Sequence, residues 1–256
     1  GTLILAILLG YPMNEAASIG IIGAIDGPTS IYVANELAPH MLGVISVVAY
    51  SYMSLVPIIQ PPIMRLLTTK EERSTHMDYA PRPVSKLAVV LFPVIVTIAI
   101  GILVPKAAPL IASLMIGNLL KESLVVERLS RSSQNEIINV TTLFLGLVVG
   151  STMNAASFLQ LKTLGILVLG LFAFGLDTAA GIFFGKLLYV LSGKKINPLI
   201  GAAGISAFPM AGRLVQKIAQ EEDYSNFVLM HAMGANTAGQ LGSVIAGGVL
   251  LALLGA

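Results

Sequence analysis

Cysteine is absent from this 256-residue chain. That excludes disulfides, iron–sulfur clusters and thiol catalysis. Histidine is scarce: His40, His76 and His231 lie far apart and form no His-Glu-x-x-His pattern, so a zinc site has no support. Charge is scarce too. Only 11% of residues are Asp, Glu, Lys or Arg, against roughly 25% in soluble domains. The net charge of +2 offers no basic field, which argues against a nucleic-acid partner. No low-complexity tract and no soluble domain stand out.

Apolar sequence is what the chain has in abundance. Hydrophobic residues make up 55% and the mean hydropathy is +0.87. A water-soluble fold has no place for that much apolar surface, whereas bilayer-spanning helices do. The composition predicts an all-α, polytopic membrane protein. Runs long enough to cross a bilayer, about 20 residues, are expected at 42–59, 84–104, 137–153, 164–191 and 227–254. Shorter or interrupted runs occupy 17–37, 109–120 and 198–218, giving seven or eight membrane segments. The chain opens in an apolar run, 2–9, without a charged n-region. It reads as the end of a membrane helix rather than a signal peptide. A polar loop is expected at 60–86, with Arg65, Lys70, Arg73, Arg82 and Lys86 set against Glu71, Glu72 and Asp78. Its Lys/Arg excess places it on the cytoplasmic side, and Ser192-Gly193-Lys194-Lys195 is a second basic loop. Residues 121–136 read as an interfacial amphipathic helix or a solvated connector.

Two nearly apolar stretches should interrupt a helix: Gly23-Ala24-Ile25-Asp26-Gly27-Pro28-Thr29, and the run from Asn197-Pro198 through Gly201, Gly204 and Ser206 to Pro209. Proline removes a backbone donor and glycine loosens the helix. Freed backbone groups must then sit inside protein or along a wet cavity. A pair of such interruptions is a pointer to an ion site in a transporter. Asp26 is the sharpest candidate, because a carboxylate at the bilayer centre costs about 2.5–3.5 kcal/mol. It can hold a cation when ionised or carry a proton when neutral; the bland alternative is a loop aspartate turning the chain before Gly27-Pro28. Asn197 either caps the helix that Pro198 begins or ligates a cation. Arg213 is either an arginine reaching to the interface or a clamp for a carboxylate. Tyr52, Ser206 and Asn236 offer neutral oxygens on apolar segments, as cation ligands or as helix–helix hydrogen bonds. Asp177 ranks below Asp26, as an ion-pair partner or a second ligand.

Longer strings carry a resemblance. Asp26-Gly27-Pro28-Thr29-Ser30-Ile31, Ala49-Tyr50-Ser51-Tyr52-Met53 and Val56-Pro57-Ile58-Ile59-Gln60-Pro61-Pro62-Ile63-Met64-Arg65 resemble the beta subunit of sodium ion-translocating biotin-dependent decarboxylases. That family covers the oxaloacetate, methylmalonyl-CoA and glutaconyl-CoA enzymes. In the second half, Asn197 to Ala207, Pro209-Met210-Ala211 and Leu229-Met230-His231-Ala232-Met233-Gly234-Ala235-Asn236 agree with it. Ile25 departs from a usual small residue, and Ala235 from an expected proline. The family's subunit is longer at its N-terminus.

The resemblance implies a single, N-terminally incomplete transmembrane domain over 1–256, transporter-like, with inverted repeats and two broken helices. Residues 1–59 would be the remainder of the first repeat, 60–86 the cytoplasmic loop, and 87–256 the remaining helices and second repeat. It implies a membrane subunit that decarboxylates carboxybiotin and couples this to outward Na+ transport with proton consumption. An alpha subunit, carrying carboxyltransferase and biotin carrier, would deliver the carboxybiotin, and a small gamma subunit would complete the complex in a bacterial or archaeal inner membrane. Asp26, Tyr52 and Arg213 would be catalytic, with Arg213 meeting the carboxybiotin. Asp26, Asn197, Ser206 and Tyr52 would bind Na+, and Gly201 would allow close packing. The competing readings are a self-sufficient cation/proton antiporter and a non-catalytic membrane anchor.

Overall fold

The computed structural model describes residues 1–77, 84–153 and 160–255, and they hold twelve α-helices and no strand. Asp78 and Arg82 of the expected loop lie outside the described residues.

The first interruption is built from short pieces. Helix α1 (Thr2–Leu8) is followed by α2 (Met13–Gly20), a 3-10 turn (Ile21–Ala24) and α3 (Gly27–Leu37). Between turn and helix the chain passes through Ile25, whose φ of 53° lies in the left-handed region. An isoleucine there is strained, and full burial among Val56, Phe174 and Leu199 holds it. Asp26 then starts α3 as its N-cap, with proline in the first turn, where a missing N–H costs nothing.

Helix α4 (Leu42–Leu67) follows. It runs straight through Pro57, Pro61 and Pro62, so residues 60–67 are helix rather than loop. The short α5 (Lys70–Arg73) begins with a capping box made by Thr69 and Glu72. Beyond it lie α6 (Lys86–Leu103), α7 (Ala108–Glu122), α8 (Glu127–Ser132) and α9 (Ile138–Thr152). A π-helical turn (Ser133–Ile137) joins the last two. The amphipathic stretch 121–136 is thus divided between the end of α7, α8 and that turn.

Helix α10 (Leu161–Leu191) is the longest. The second interruption comes next: a 3-10 helix (Pro198–Gly204), extended chain, then α11 (Met210–Glu222). Helix α12 (Leu229–Leu254) completes the described fold.

Among the described residues, four helical stretches are long and apolar enough to cross a membrane: Pro39–Leu67, Lys86–Leu103, Thr163–Leu191 and Leu229–Leu254. That is fewer than the seven or eight segments expected. The difference lies in the short pieces. The 15 residues of α9 alone reach about 22 Å at 1.5 Å per residue, and the π-helical turn and α8 continue the same helix back to Glu127. Only 6% of the Lys86–Leu103 span is buried in the protein, so α6 leaves most of its apolar surface outside the packed core. The core instead gathers α4, α10, α11 and the second 3-10 helix around Met64, Phe174, Ile182, Leu199 and Ile218.

Ion pairs collect at one end of this core. Glu72 meets Lys186 at 3.2 Å, Glu71 meets Lys194 at 3.2 Å, Arg73 meets Glu222 at 2.6 Å and Arg65 meets Glu221 at 2.5 Å. Both basic loops therefore share one end of the molecule. The exposed pairs contribute little each. Arg73–Glu222 is largely shielded, and Arg73 also donates to the Thr68 carbonyl at 2.5 Å. Buried amides reinforce the tie: Asn197 and Asn226 both donate to the carbonyls of Arg73 and Thr75.

Candidate functional site

Chain breaks leave backbone groups that need partners, and here the two interruptions serve each other. The Ser206 N–H donates to the Ala24 carbonyl at 3.0 Å. The Asn236 amide of α12 donates to the Ile205 carbonyl at 2.6 Å, and the Ser206 hydroxyl to the Gly239 carbonyl at 3.1 Å. From α4, Gln60 donates to the Ala202 carbonyl at 2.9 Å. The approach to α10 is closer still. A Cβ on Gly201 would run into the Gly181 carbonyl, so only glycine allows this contact.

Asp26 sits where the interruptions meet, with 7% of its surface exposed. One carboxylate oxygen, Oδ1, accepts the Thr29 N–H at 3.1 Å and caps α3. The other, Oδ2, accepts the Ser243 hydroxyl of α12 at 2.6 Å. The α3 N-terminus adds its positive dipole end. Asp26 is thus both a turn-forming aspartate and a buried carboxylate.

Beside it lies a cavity of about 600 Å³, within the usual range for small-molecule sites. Its walls are mostly apolar surface of α10, the second 3-10 helix and α12, with Asp177, Asn197, Ser206 and Ser243 as polar lining. The Asp177 carboxylate abuts the first interruption: a Cβ on Gly23 would lie 2.8 Å from its Oδ2.

The expected residues divide on this geometry. Asp26, Ser206 and Asn197 converge on the region, but the Asn197 side chain is fully engaged. Its Oδ1 accepts the Leu199 N–H at 3.0 Å, and its amide holds the two loop carbonyls. Tyr52 is buried and donates its hydroxyl to the Leu167 carbonyl, clipping α4 to α10. Arg213 is exposed on α11 and does not line the cavity. Ser243 and Gln60 were not legible as site residues. The available signal was a hydroxyl or amide in an otherwise apolar helix, which hydrogen-bonding between helices explains equally well. Buried oxygens of Gln60, Thr178 and Asn236 have no hydrogen-bond partner among the described residues.

Fold and site together define an all-α membrane protein with a buried carboxylate where two interrupted segments meet beside a cavity. The family model of the Na+-transporting oxaloacetate decarboxylase beta subunit matches residues 1–254, and the chain belongs to that family. It is 53% identical over 249 residues to the methylmalonyl-CoA decarboxylase subunit beta of Veillonella parvula, covering 97% of this chain and 66% of that protein. It is 55% identical over 244 residues to oxaloacetate decarboxylase beta chain 2 of Salmonella typhimurium, covering 95% and 56%. Against the glutaconyl-CoA decarboxylase subunit beta of Acidaminococcus fermentans it is 53% identical over 250 residues, covering 98% and 66%. The chain therefore spans 56% to 66% of the length of these relatives.

Proposed function

We propose that this chain is the ion-handling part of a sodium pump's membrane subunit, which decarboxylates carboxybiotin and moves Na+ outward while a proton is consumed. The observation that carries the proposal is Asp26: a carboxylate 7% exposed, in a membrane protein, at the contact between two interrupted segments. Groups so placed mark ion and proton paths. Met13–Leu37 and Pro198–Glu222 are read as the broken-helix elements of two inverted repeats. The Ser206–Ala24 backbone bond, which joins them, supports that reading.

Asp26 holds Na+ as a carboxylate and releases it on taking a proton. Ser206 and Asn197 shape the polar lining, and Tyr52 keeps α4 and α10 in register beside it. Carboxybiotin arrives as a substrate on a partner's carrier domain. Arg213 is exposed, so its paired donors are open to a visiting carboxylate. Release of CO2 breaks the N–carboxyl bond and returns one proton to the ureido nitrogen. Exporting one charge against 100 mV costs about 2.3 kcal/mol, which that bond cleavage drives.

The wider assignment comprises alpha and gamma subunits and a bacterial or archaeal inner membrane. The ion-paired end faces the cytoplasm, as its basic loops support. The test is Asp26→Asn in the assembled complex. It should abolish sodium uptake and substrate-driven carboxybiotin decarboxylation together. Retention of both would refute the assignment.

A further inference from the structure

The Ser243 hydroxyl has one proton and two acceptors. Its Oγ lies 2.6 Å from Asp26 Oδ2 and 2.8 Å from the carbonyl of Gln240, one turn earlier in α12. A hydroxyl donates a single hydrogen while keeping two lone pairs, so only one of these bonds is made at a time. Ser243 also borders the cavity, whereas Asp26 is not part of its lining. Ser243 thus stands both on the cavity wall and in contact with Asp26 Oδ2. The other carboxylate oxygen is committed to the Thr29 N–H.

We propose that Ser243 is an ion ligand that changes sides: it donates to Asp26 when the site is empty, and to the Gln240 carbonyl when Na+ is bound. Turning its hydrogen to Gln240 takes the bond from the carboxylate and points oxygen lone pairs at the space beside Asp26 Oδ2. A hard alkali cation then gains two oxygens in one step, one charged and one neutral. The rotation keeps the hydroxyl hydrogen-bonded in both states, so neither leaves a buried donor unpaired. Serine back-bonding to its own helix is an ordinary resting place for that hydrogen. Asn236, seven residues earlier on α12, also keeps a buried oxygen free. Its backbone lies about 10 Å away along the helix axis, and its amide is held by the Ile205 carbonyl.

This inference rests on the reading of Asp26 as the sodium carboxylate, and the test separates the two. Equilibrium binding of radioactive Na+ to the purified, full-length complex would be measured for wild type, Ser243→Ala, Ser243→Cys, Ser243→Thr and Asp26→Asn. Cysteine keeps the shape of serine but replaces its oxygen with a larger, soft sulfur that a hard cation disfavours. Ser243→Ala and Ser243→Cys should each weaken Na+ binding about ten-fold, while Ser243→Thr, which keeps the oxygen, stays within about three-fold. Wild-type affinity in Ser243→Cys, with binding lost in Asp26→Asn, would overturn the role of Ser243 and leave Asp26 standing. Wild-type binding in Asp26→Asn would overturn both.

Discussion

The approach of α12 to α3 depends on Gly247, and Gly247→Ala should cost both packing and a bond one turn away. A Cβ there would lie 2.6 Å from the Thr29 methyl and 3.2 Å from a Val33 methyl. Carbon atoms pack at about 3.5–4.0 Å, so α12 must retreat by about 1 Å. Thr29 and Val33 are β-branched and give little at χ1. Ser243 lies one turn before Gly247 and moves with it. A retreat of that size stretches the 2.6 Å bond from Ser243 to Asp26 to about 3.6 Å, beyond hydrogen-bond reach. Losing a hydrogen bond to a charged group costs about 1.5–3 kcal/mol, and overpacking adds about 1–3 kcal/mol. The assay is denaturant unfolding of the full-length protein in detergent, for Gly247→Ala, Ser243→Ala and the double variant. The double variant should be less destabilised than the sum of the singles, because the same bond is lost in both. Strict additivity, or wild-type stability in Gly247→Ala, would refute the coupling.

Two further predictions concern the frame around the site. Tyr52→Phe removes the hydroxyl that α4 gives to the Leu167 carbonyl, and should lower unfolding stability by about 1 kcal/mol; a Tyr52→Phe variant as stable as wild type yet unable to transport Na+ would place the hydroxyl in the ion path instead. At the ion-paired end, hydrogen bonds from Ser225 and then from His76 push the Asp223 carboxyl down to about 2. A depressed acid stabilises the fold above its unfolded pKa, about 3.9, and loses that contribution as pH falls through the folded value. Amide exchange at residues 74–77 and 223–226, corrected for its intrinsic pH dependence, should therefore accelerate from about pH 4 towards pH 2, and Asp223→Asn should remove that step. An unchanged acid transition in Asp223→Asn would contradict the assignment.

The interruptions were legible because their chemistry is local. Gly23 to Pro28 and Asn197 to Pro209 concentrate residues that disfavour helix, and Asp26 is conspicuous in apolar surroundings. What completes the site is not local. Ser243 meets Asp26 across 217 positions of sequence, and Gln60 meets Ala202 across 142; no periodicity encodes such pairings. The polar loop was expected from residue 60, yet α4 continues to Leu67, because Gln60 and Met64 are fully buried there and packing overrides propensity. The runs 137–153 and 109–120 fall within two residues of α9 and α7. Gly181 and the Gly247-Gly248 pair, glycines inside helices, carry a signal of close approach. Only the fold shows what each approaches.

If the proposed coupling holds, substrate decarboxylation through a visiting carboxybiotin drives Na+ movement past Asp26. The most direct measurement is radioactive Na+ uptake into vesicles that hold the full-length subunit with its partners, with substrate present or absent and with or without avidin. Uptake should require substrate and stop when avidin sequesters the biotin. Sodium flux indifferent to both would contradict that coupling and point to a self-sufficient antiporter.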